Sequence, residues 1–301
     1  MLIVVLLAFV LLNRFIIKQK LNIKLGNANN ELFQKNKLIE KQKEKIVSSI
    51  AYAQNIQKSI LMEENEIKRI LPDSFIYYLP KDIVSGDLYW CAEINNKIII
   101  AAIDCTGHGV PGAFMSMIGN TLLNQIVIEK QITKPSEILQ ILNREIFDAL
   151  HQDKEGALSD DGMDMALCCI DYNKNQIEYA GAQNPLFVLS ENKLEMIKAD
   201  IFSIGGAGFK AKKEGSAQIE YTNHIIPLKK DMSIFLFSDG YMDQFGGSNG
   251  KKFGLQKFKE LLTDNQHHTM QKQKELLAVT HEEWIGNSQQ IDDILVIGVR
   301  F

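Results

Sequence analysis

Apolar and polar positions follow two different patterns along the 301-residue chain, and the change between them predicts a helical part and a mixed part. Residues 19–62 contain no proline and one glycine, and they are rich in Lys, Glu, Gln and Asn. Apolar residues recur there at sevenfold spacing, at Leu25, Leu32, Ile39, Ile46, Ala53 and Ile60. This narrow seam predicts a long helix and favours a weak parallel homodimer, with a solvated single helix as the alternative. Pro72 is expected to end the helical segment.

The first residues have a pattern of their own. Residues 2–12 form an unbroken apolar run that resumes at 15–17, and Lys18 and Lys20 follow at once. The run falls short of the roughly 20 residues that a spanning helix needs, and it has neither the basic leader nor the cleavage site of a signal peptide. We expect residues 1–17 to be the stub of an inner-membrane anchor, with the remainder cytoplasmic. The alternative is a hydrophobic helix from a longer parent chain.

After Pro72 the spacing of apolar residues predicts short strands mixed with helices. Runs typical of strands lie at 97–104, 165–171, 176–180, 186–189, 232–238 and 294–301. Helical spacing appears at 113–130, 135–151, 255–262 and 271–284. Because turn clusters such as 171–175 join neighbouring strands, the pattern favours an α+β fold with stacked antiparallel sheets flanked by helices. The segment 113–130 is apolar nearly all round, so we expect it to be buried.

Composition adds two exclusions. The formal net charge of −4 provides no basic footprint for nucleic acid as a partner. None of the four cysteines, at positions 91, 105, 168 and 169, forms a Cys-x-x-Cys pair, so the spacing of a thiolate zinc site is missing. We expect them to be small buried hydrophobic residues in a reducing compartment.

Four acidic motifs stand at the ends of predicted strands or beside glycines. They are centred on Asp87 in Val-Ser-Gly-Asp, Asp104 in Asp-Cys-Thr-Gly-His-Gly, Asp239 in Ser-Asp-Gly, and the pair Asp292-Asp293. A carboxylate at the end of a buried strand is costly unless it is paired or binds a cation. Mg²⁺ and Mn²⁺ prefer such oxygen ligands, and two ions roughly 3.5–4 Å apart can activate water for attack on phosphorus. Each motif alone is also typical of a simple turn, and it is their combination that indicates a two-metal hydrolytic site.

In this order, the motifs resemble those of the metal-dependent serine/threonine protein phosphatases of the PPM (type 2C) family, and most closely its SpoIIE-like bacterial branch. The resemblance covers about residue 68 to the C-terminus. It is most specific over 102–117 (AIDCTGHGVPGAFMSM), with further matches at 179–185 and 238–247. The segment 50–61 also resembles the helix that leads into these domains.

The resemblance implies an α-β-β-α sandwich of two antiparallel sheets flanked by helices, here preceded by a long N-terminal helix. It also implies two divalent cations, Mn²⁺ or Mg²⁺, with Asp104 bridging them and Asp104 and Asp239 as the catalytic centre. The implied metal ligands are Asp87, Asp104, the Cys105 carbonyl, Asp239 and Asp292, with a secondary role for Asp293.

One departure from the family pattern affects substrate binding. The arginine with which the animal enzymes grip the phosphate has no clear counterpart, and Lys81 or His108 are the residues here that could assist. His108 lies in the glycine loop after Asp104, where a catalytic and a structural role are equally compatible with its position.

These observations predict three regions: an anchor stub at 1–17, a helical linker at 18–66 and a phosphatase domain at 67–301. We expect a phosphoserine/phosphothreonine phosphatase in bacterial signalling, acting on a phosphorylated regulator such as an anti-sigma-factor antagonist. A catalytically silent binding module of the same fold is the alternative. A nucleotide cyclase would need a βαββαβ order and a different loop signature, and neither appears. The helical seam further suggests that dimer geometry controls activity.

Overall fold

The computed structural model describes residues 1–152, 159–206 and 219–301. It divides into two compact units, Met1–Tyr52 and Ala53–Phe301. Helix α1 spans Leu2–Ile60, which confirms the predicted long helix. Seam residues such as Leu25 and Ile46 are exposed on it. Near the N-terminus, α1 has an 18-residue window of mean hydropathy 2.1, long and apolar enough to cross a membrane, although a signal sequence passes the same test.

The second unit contains the strands and the remaining helices. After α2 (Glu64–Ile70), the strands in chain order are β1 (Ser74–Leu79), β2 (Leu88–Ile94), β3 (Lys97–Cys105), β4 (Gly162–Asp171), β5 (Gln176–Ala182), β6 (Leu186–Ser190), β7 (Lys193–Ile197), β8 (Ile204–Gly205), β9 (His224–Pro227), β10 (Ser233–Phe237), β11 (Phe245–Gly246), β12 (Lys251–Lys252) and β13 (Ile294–Arg300). The helices are α3 (Gly109–Leu123), continued by a π-helical segment (Asn124–Glu129), α4 (Pro135–Ala149), α5 (Gly240–Asp243), α6 (Leu255–Asp264) and α7 (Met270–Ile285).

The strands form two main antiparallel sheets. One has the order β1-β13-β10-β6-β7, and the other has the order β2-β3-β4-β5-β9 with β8 paired to β4. An apolar core contributed by both sheets lies between them. A second core joins the outer face of the β3 sheet to α3 and α4, and a third joins the outer face of the β13 sheet to α6 and α7. The predicted α-β-β-α sandwich is therefore confirmed.

Strand β3 illustrates why the strands read as continuous apolar runs. Ile98, Ile100 and Ala102 belong to the core between the sheets, whereas Ile99, Ala101 and Ile103 belong to the core under α3 and α4. Successive side chains of a strand point to opposite faces, so a strand covered on both faces needs apolar residues at every position. All four cysteines are free and buried in these layers, as expected.

The structure also differs from the sequence-based expectations in places. Strands β1, β2, β7 and β9 were not predicted, and a break at residues 61–63 divides the helical segment into α1 and α2. Helix α2 ends at Ile70, just before Pro72, as expected. Helix α3 is only partly buried, because the β3 sheet covers one side of it. Phe114 is 65% exposed and Ile128, in the π-helical segment, is 50% exposed, so the expectation of complete burial was wrong.

Candidate active site

Two aspartates face each other at the end of the β3 sheet. Asp104 pairs with Asp164 across the antiparallel strands β3 and β4. Asp104 is an even number of residues from Ile98, Ile100 and Ala102, so its side chain projects to the same face, toward the other sheet. The other sheet contributes the Asp239 that follows β10 and the Asp292 that precedes β13. The acidic residues therefore meet where one end of the sandwich opens.

A cavity of about 220 Å³ lies at this end. Its lining comprises Asp104, Cys105, Thr106, Gly107, His108, Asp164, Ser203, Asp239 and Asp292. Four of the five metal ligands implied by the resemblance thus line one cavity. The fifth, Asp87, is 3% exposed and does not belong to the lining; its Oδ2 accepts a hydrogen bond of 2.5 Å from Ser238 Oγ. Sequence reasoning missed Asp164, Ser203 and Thr106.

The carboxylates of the site repel one another. Burial and then the charge of Asp104 raise the pKa of Asp87 well above its ordinary value. Burial and then the charge of Asp239 do the same to the pKa of Asp104. Asp239 reaches solvent, but desolvation by the surrounding protein and the charges of Asp243 and Asp292 raise its pKa to about 6. Burial also raises the pKa of Asp164. A positive charge bound among these acids would stabilise their ionised forms.

The neighbouring residues Asp292 and Asp293 have different surroundings. Asp292 lines the cavity. Asp293 is 3% exposed, and its two carboxylate oxygens accept hydrogen bonds of 2.7 Å each from the backbone nitrogens of Lys81 and Gly86. Asp293 therefore fastens the segment that carries Asp87 to the start of β13, while Asp292 remains available to the cavity.

Glycines allow the two loops of the site to approach closely. A Cβ atom on Gly86 or on Gly112 would overlap with the carbonyl oxygen of Gly107. Gly107 itself has a positive φ of 81°, in the left-handed region that favours glycine. The backbone contact between the 84–87 segment and the 105–112 segment thus depends on these residue types.

The end of α1 is fastened to the same loops by one buried amide. Gln57 is 4% exposed, and its Nε2 donates to the Ser85 carbonyl oxygen (2.6 Å) and to Ser116 Oγ (2.9 Å). Its Oε1 accepts from the Ser85 backbone nitrogen at 3.0 Å. Ser85 precedes Asp87 by two residues, so Gln57 supports the backbone that carries a candidate ligand. Sequence reasoning did not name Gln57 as a site residue, although it lies in the segment 50–61 that resembles the helix leading into these domains.

The chemistry of the cavity fits hard divalent cations. Among the described residues, no three or more His, Cys, Asp or Glu side chains form a closed cage for an ion. Mg²⁺ is usually held by one or two carboxylates with several waters, and it does not need such a cage. Four carboxylates line the cavity, Asp104, Asp164, Asp239 and Asp292, and the exposed His108 is the basic side chain among its described lining residues.

Comparison with solved structures places this fold among phosphatase domains. The SiaA-PP2C domain of Pseudomonas aeruginosa superposes with a TM-score of 0.77 at 29% identity, over 86% of this chain and 98% of that chain. The PP2C phosphatase domain of SpoIIE from Bacillus subtilis, with a fragment of its regulatory domain, gives a TM-score of 0.59 at 16% identity, over 76% and 63%. RsbX in complex with magnesium gives 0.51 at 14% identity, over 76% and 94%. Comparison with curated protein sequences gave no significant match.

The sandwich and its acidic cavity define a PP2C-type serine/threonine protein phosphatase. More narrowly, residues 95–301 match the family model of stage II sporulation protein E, and the chain belongs to the SpoIIE family.

Proposed function

We propose that the protein hydrolyses phosphoserine and phosphothreonine in a signalling protein with the help of two divalent cations, Mn²⁺ or Mg²⁺. The observation that supports this most strongly is the group of carboxylates from both sheets, Asp104, Asp239 and Asp292, around one cavity. Burial and the charges of neighbouring acids raise the pKa of Asp104 and of Asp239, so a bound cation would stabilise their ionised forms.

In this proposal the ligands are Asp87, Asp104, the Cys105 carbonyl, Asp239 and Asp292. Asp104 is central to this set because its charge raises the pKa of Asp87. The charges of Asp239 and Asp292 in turn raise the pKa of Asp104. When bound, the cations supply an activated water and neutralise charge on the phosphate. Asp87 lies behind the cavity wall with Ser238 as its hydrogen-bond donor, so it contributes from the buried side. RsbX has been seen with magnesium, which supports the choice of ion.

The test is the Asp104→Asn variant, which keeps the size of the side chain and removes its charge. We expect loss of Mn²⁺-dependent turnover of a phosphopeptide together with weaker Mn²⁺ binding in a calorimetric titration. Full Mn²⁺-dependent activity in the variant would refute the mechanism. Absence of Mn²⁺ binding by the wild type would favour a silent signalling module instead.

We also propose that the phosphatase unit acts in the cytoplasm and that residues 1–17 anchor it to the inner membrane. The apolar N-terminal window of α1 supports the anchor. The exposed seam at Leu25, Leu32, Ile39 and Ile46 supports a parallel homodimer through α1, since apolar side chains at sevenfold spacing are buried by a second helix. Crosslinking of a cysteine introduced at an exposed seam position in membranes would test both.

A phosphorylated regulatory protein, such as an anti-sigma-factor antagonist, is the proposed substrate. This choice rests on the family to which the chain belongs. A comparison of the phosphoproteomes of wild-type and Asp239→Ala strains would test it: one or a few regulators should accumulate in phosphorylated form. An unchanged phosphoproteome would contradict the proposal.

A further inference from the structure

A cluster of Lys81, Asp82 and His108 stands at the cavity, apart from the acidic ligand set. Lys81 Nζ donates to the carbonyl oxygen of Ile291 at 2.5 Å and lies 2.9 Å from His108 Nε2. His108 Nδ1 lies 2.6 Å from Asp82 Oδ2. Lys81 is not itself a lining residue, but its ammonium contacts His108, which lines the cavity, and Ile291, which precedes the lining residue Asp292.

These contacts determine which nitrogen of His108 carries a proton. A lysine ammonium has three donors and no lone pair, so His108 Nε2 must be the acceptor of the Lys81 hydrogen bond. The ring proton is then on Nδ1, where it is donated to the Asp82 carboxylate. In this arrangement His108 is a neutral imidazole whose Nε2 has no proton to give to a leaving group. The contact of His108 with Lys81 instead holds the lysine ammonium in position.

We propose that Lys81 binds the phosphate group of the substrate and that Asp82 and His108 are positioning residues for its ammonium. This inference rests on the proposed function. Two of the three Lys81 donors are used by Ile291 and His108, which leaves one for a phosphate oxygen. A phosphate that enters a cavity walled by carboxylates needs positive charge on its outer side, and lysine supplies this as a compact point charge.

The backbone around the cluster is also constrained. Gly109 has a φ of 66°, and a Cβ atom there would lie 3.0 Å from Asp82 Oδ2. The Lys81 backbone nitrogen is bonded to Asp293, a contact that an alanine at position 81 would keep. The ammonium can therefore be removed without releasing the segment that holds it.

The experiment measures binding of inorganic phosphate to the full chain in detergent with saturating Mn²⁺. Lys81→Ala should raise the dissociation constant of phosphate by about tenfold to about a hundredfold, the loss expected for one charge-assisted hydrogen bond. Lys81→Arg should restore most of the affinity. Lys229→Ala is the matched control, because Lys229 precedes β10 at the end away from Asp239 and pairs with Glu191. Mn²⁺ affinity should be the same in all four proteins.

Kinetics and NMR separate binding from positioning. For a phosphopeptide, Lys81→Ala should raise KM more than it lowers kcat. The ¹⁵N shifts of His108 should show a proton on Nδ1 in the wild type, and Asp82→Asn should release this tautomer and weaken phosphate binding by less than Lys81→Ala does.

Wild-type phosphate affinity in Lys81→Ala would overturn the proposal, as would an equal loss of Mn²⁺ affinity. A protonated Nε2 in the wild type would overturn the positioning roles. A wild type that binds phosphate through Lys81 but hydrolyses no phosphopeptide would refute the proposed function alone.

Discussion

Replacement of Gln57 by alanine should destabilise the phosphatase unit strongly, although the residue lies outside the cavity. The side chain makes three hydrogen bonds, two with the Ser85 backbone and one with Ser116 Oγ, and Ser85 is fully buried. Each bond contributes about 1 kcal/mol, and an unpaired buried backbone group adds about 1–3 kcal/mol. The Ser116 hydroxyl also lies 3.5 Å from the Ser85 carbonyl oxygen and offsets part of the loss.

The expected loss of unfolding free energy is therefore about 3 kcal/mol. In a domain of this size that corresponds to a melting temperature lower by roughly 6–12 °C. Scanning calorimetry of the full chain in detergent would measure it. Asn55→Ala is a matched control, because Asn55 lies on the same helix and is exposed. Gln57→Glu keeps the shape but removes both donors, so it should be at least as damaging.

A second measurement links this contact to the site. Because Ser85 and Gly86 lead directly to Asp87, a displaced Ser85 should weaken Mn²⁺ binding as well as stability. If Gln57→Ala melts with the wild type and binds Mn²⁺ equally, the buried amide does not support the site and the reasoning fails.

Three further predictions follow from the acidic residues and from the helix. Asp239 has its pKa raised from 3.8 to about 6, so between these values the folded metal-free protein holds more protons than the unfolded chain. Its stability should fall as the pH rises through this window, while Mn²⁺ affinity should rise, as calorimetry and titration at several pH values would show. Asp293→Ala should lower the melting temperature, because it leaves two backbone N–H groups without their acceptor. Asp292→Asn should weaken Mn²⁺ binding with little effect on the melting temperature. The reverse pattern would show that Asp293 binds the ion and that Asp292 supports the fold. A chain that starts at Ala53 keeps Gln57 and the whole second unit, and it should be monomeric and slower than the full chain. An identical rate and oligomeric state would argue against control through the helix.

The part of the site that sequence could predict consists of residues next to strongly apolar strands. Asp104 ends β3, Asp239 follows β10 and Asp292 precedes β13, so each position follows from where a hydrophobic run stops. Layered burial of both sheets could be predicted for the same reason, since strands such as β3 are apolar on both faces.

The rest depends on pairing between distant segments. Asp164 becomes a cavity residue only through its register with Asp104, although a carboxylate inside an apolar strand was a signal that could have found it. Asp87 is near enough to Asp104 for that charge to raise its pKa, but its burial and its hydrogen bond from Ser238 could not be predicted from the sequence. Gln57 bonds to Ser85 and Ser116, which lie 28 and 59 residues further along the chain, and apolar spacing within a helix does not predict contacts at such separations.

The position of β13 has a consequence for biosynthesis. This strand, 294–300, is late in chain order, but it lies between β1 and β10, with Ser74 paired to Val299. During synthesis on the ribosome, the edges of β1 and β10 that pair with β13 therefore stay unpaired until the chain through Arg300 has emerged. Contacts between residues so far apart in sequence also form slowly. Asp292 arrives with the same segment. The nascent phosphatase unit should thus stay incomplete, with Asp292 absent from the cavity, until synthesis of this strand is finished.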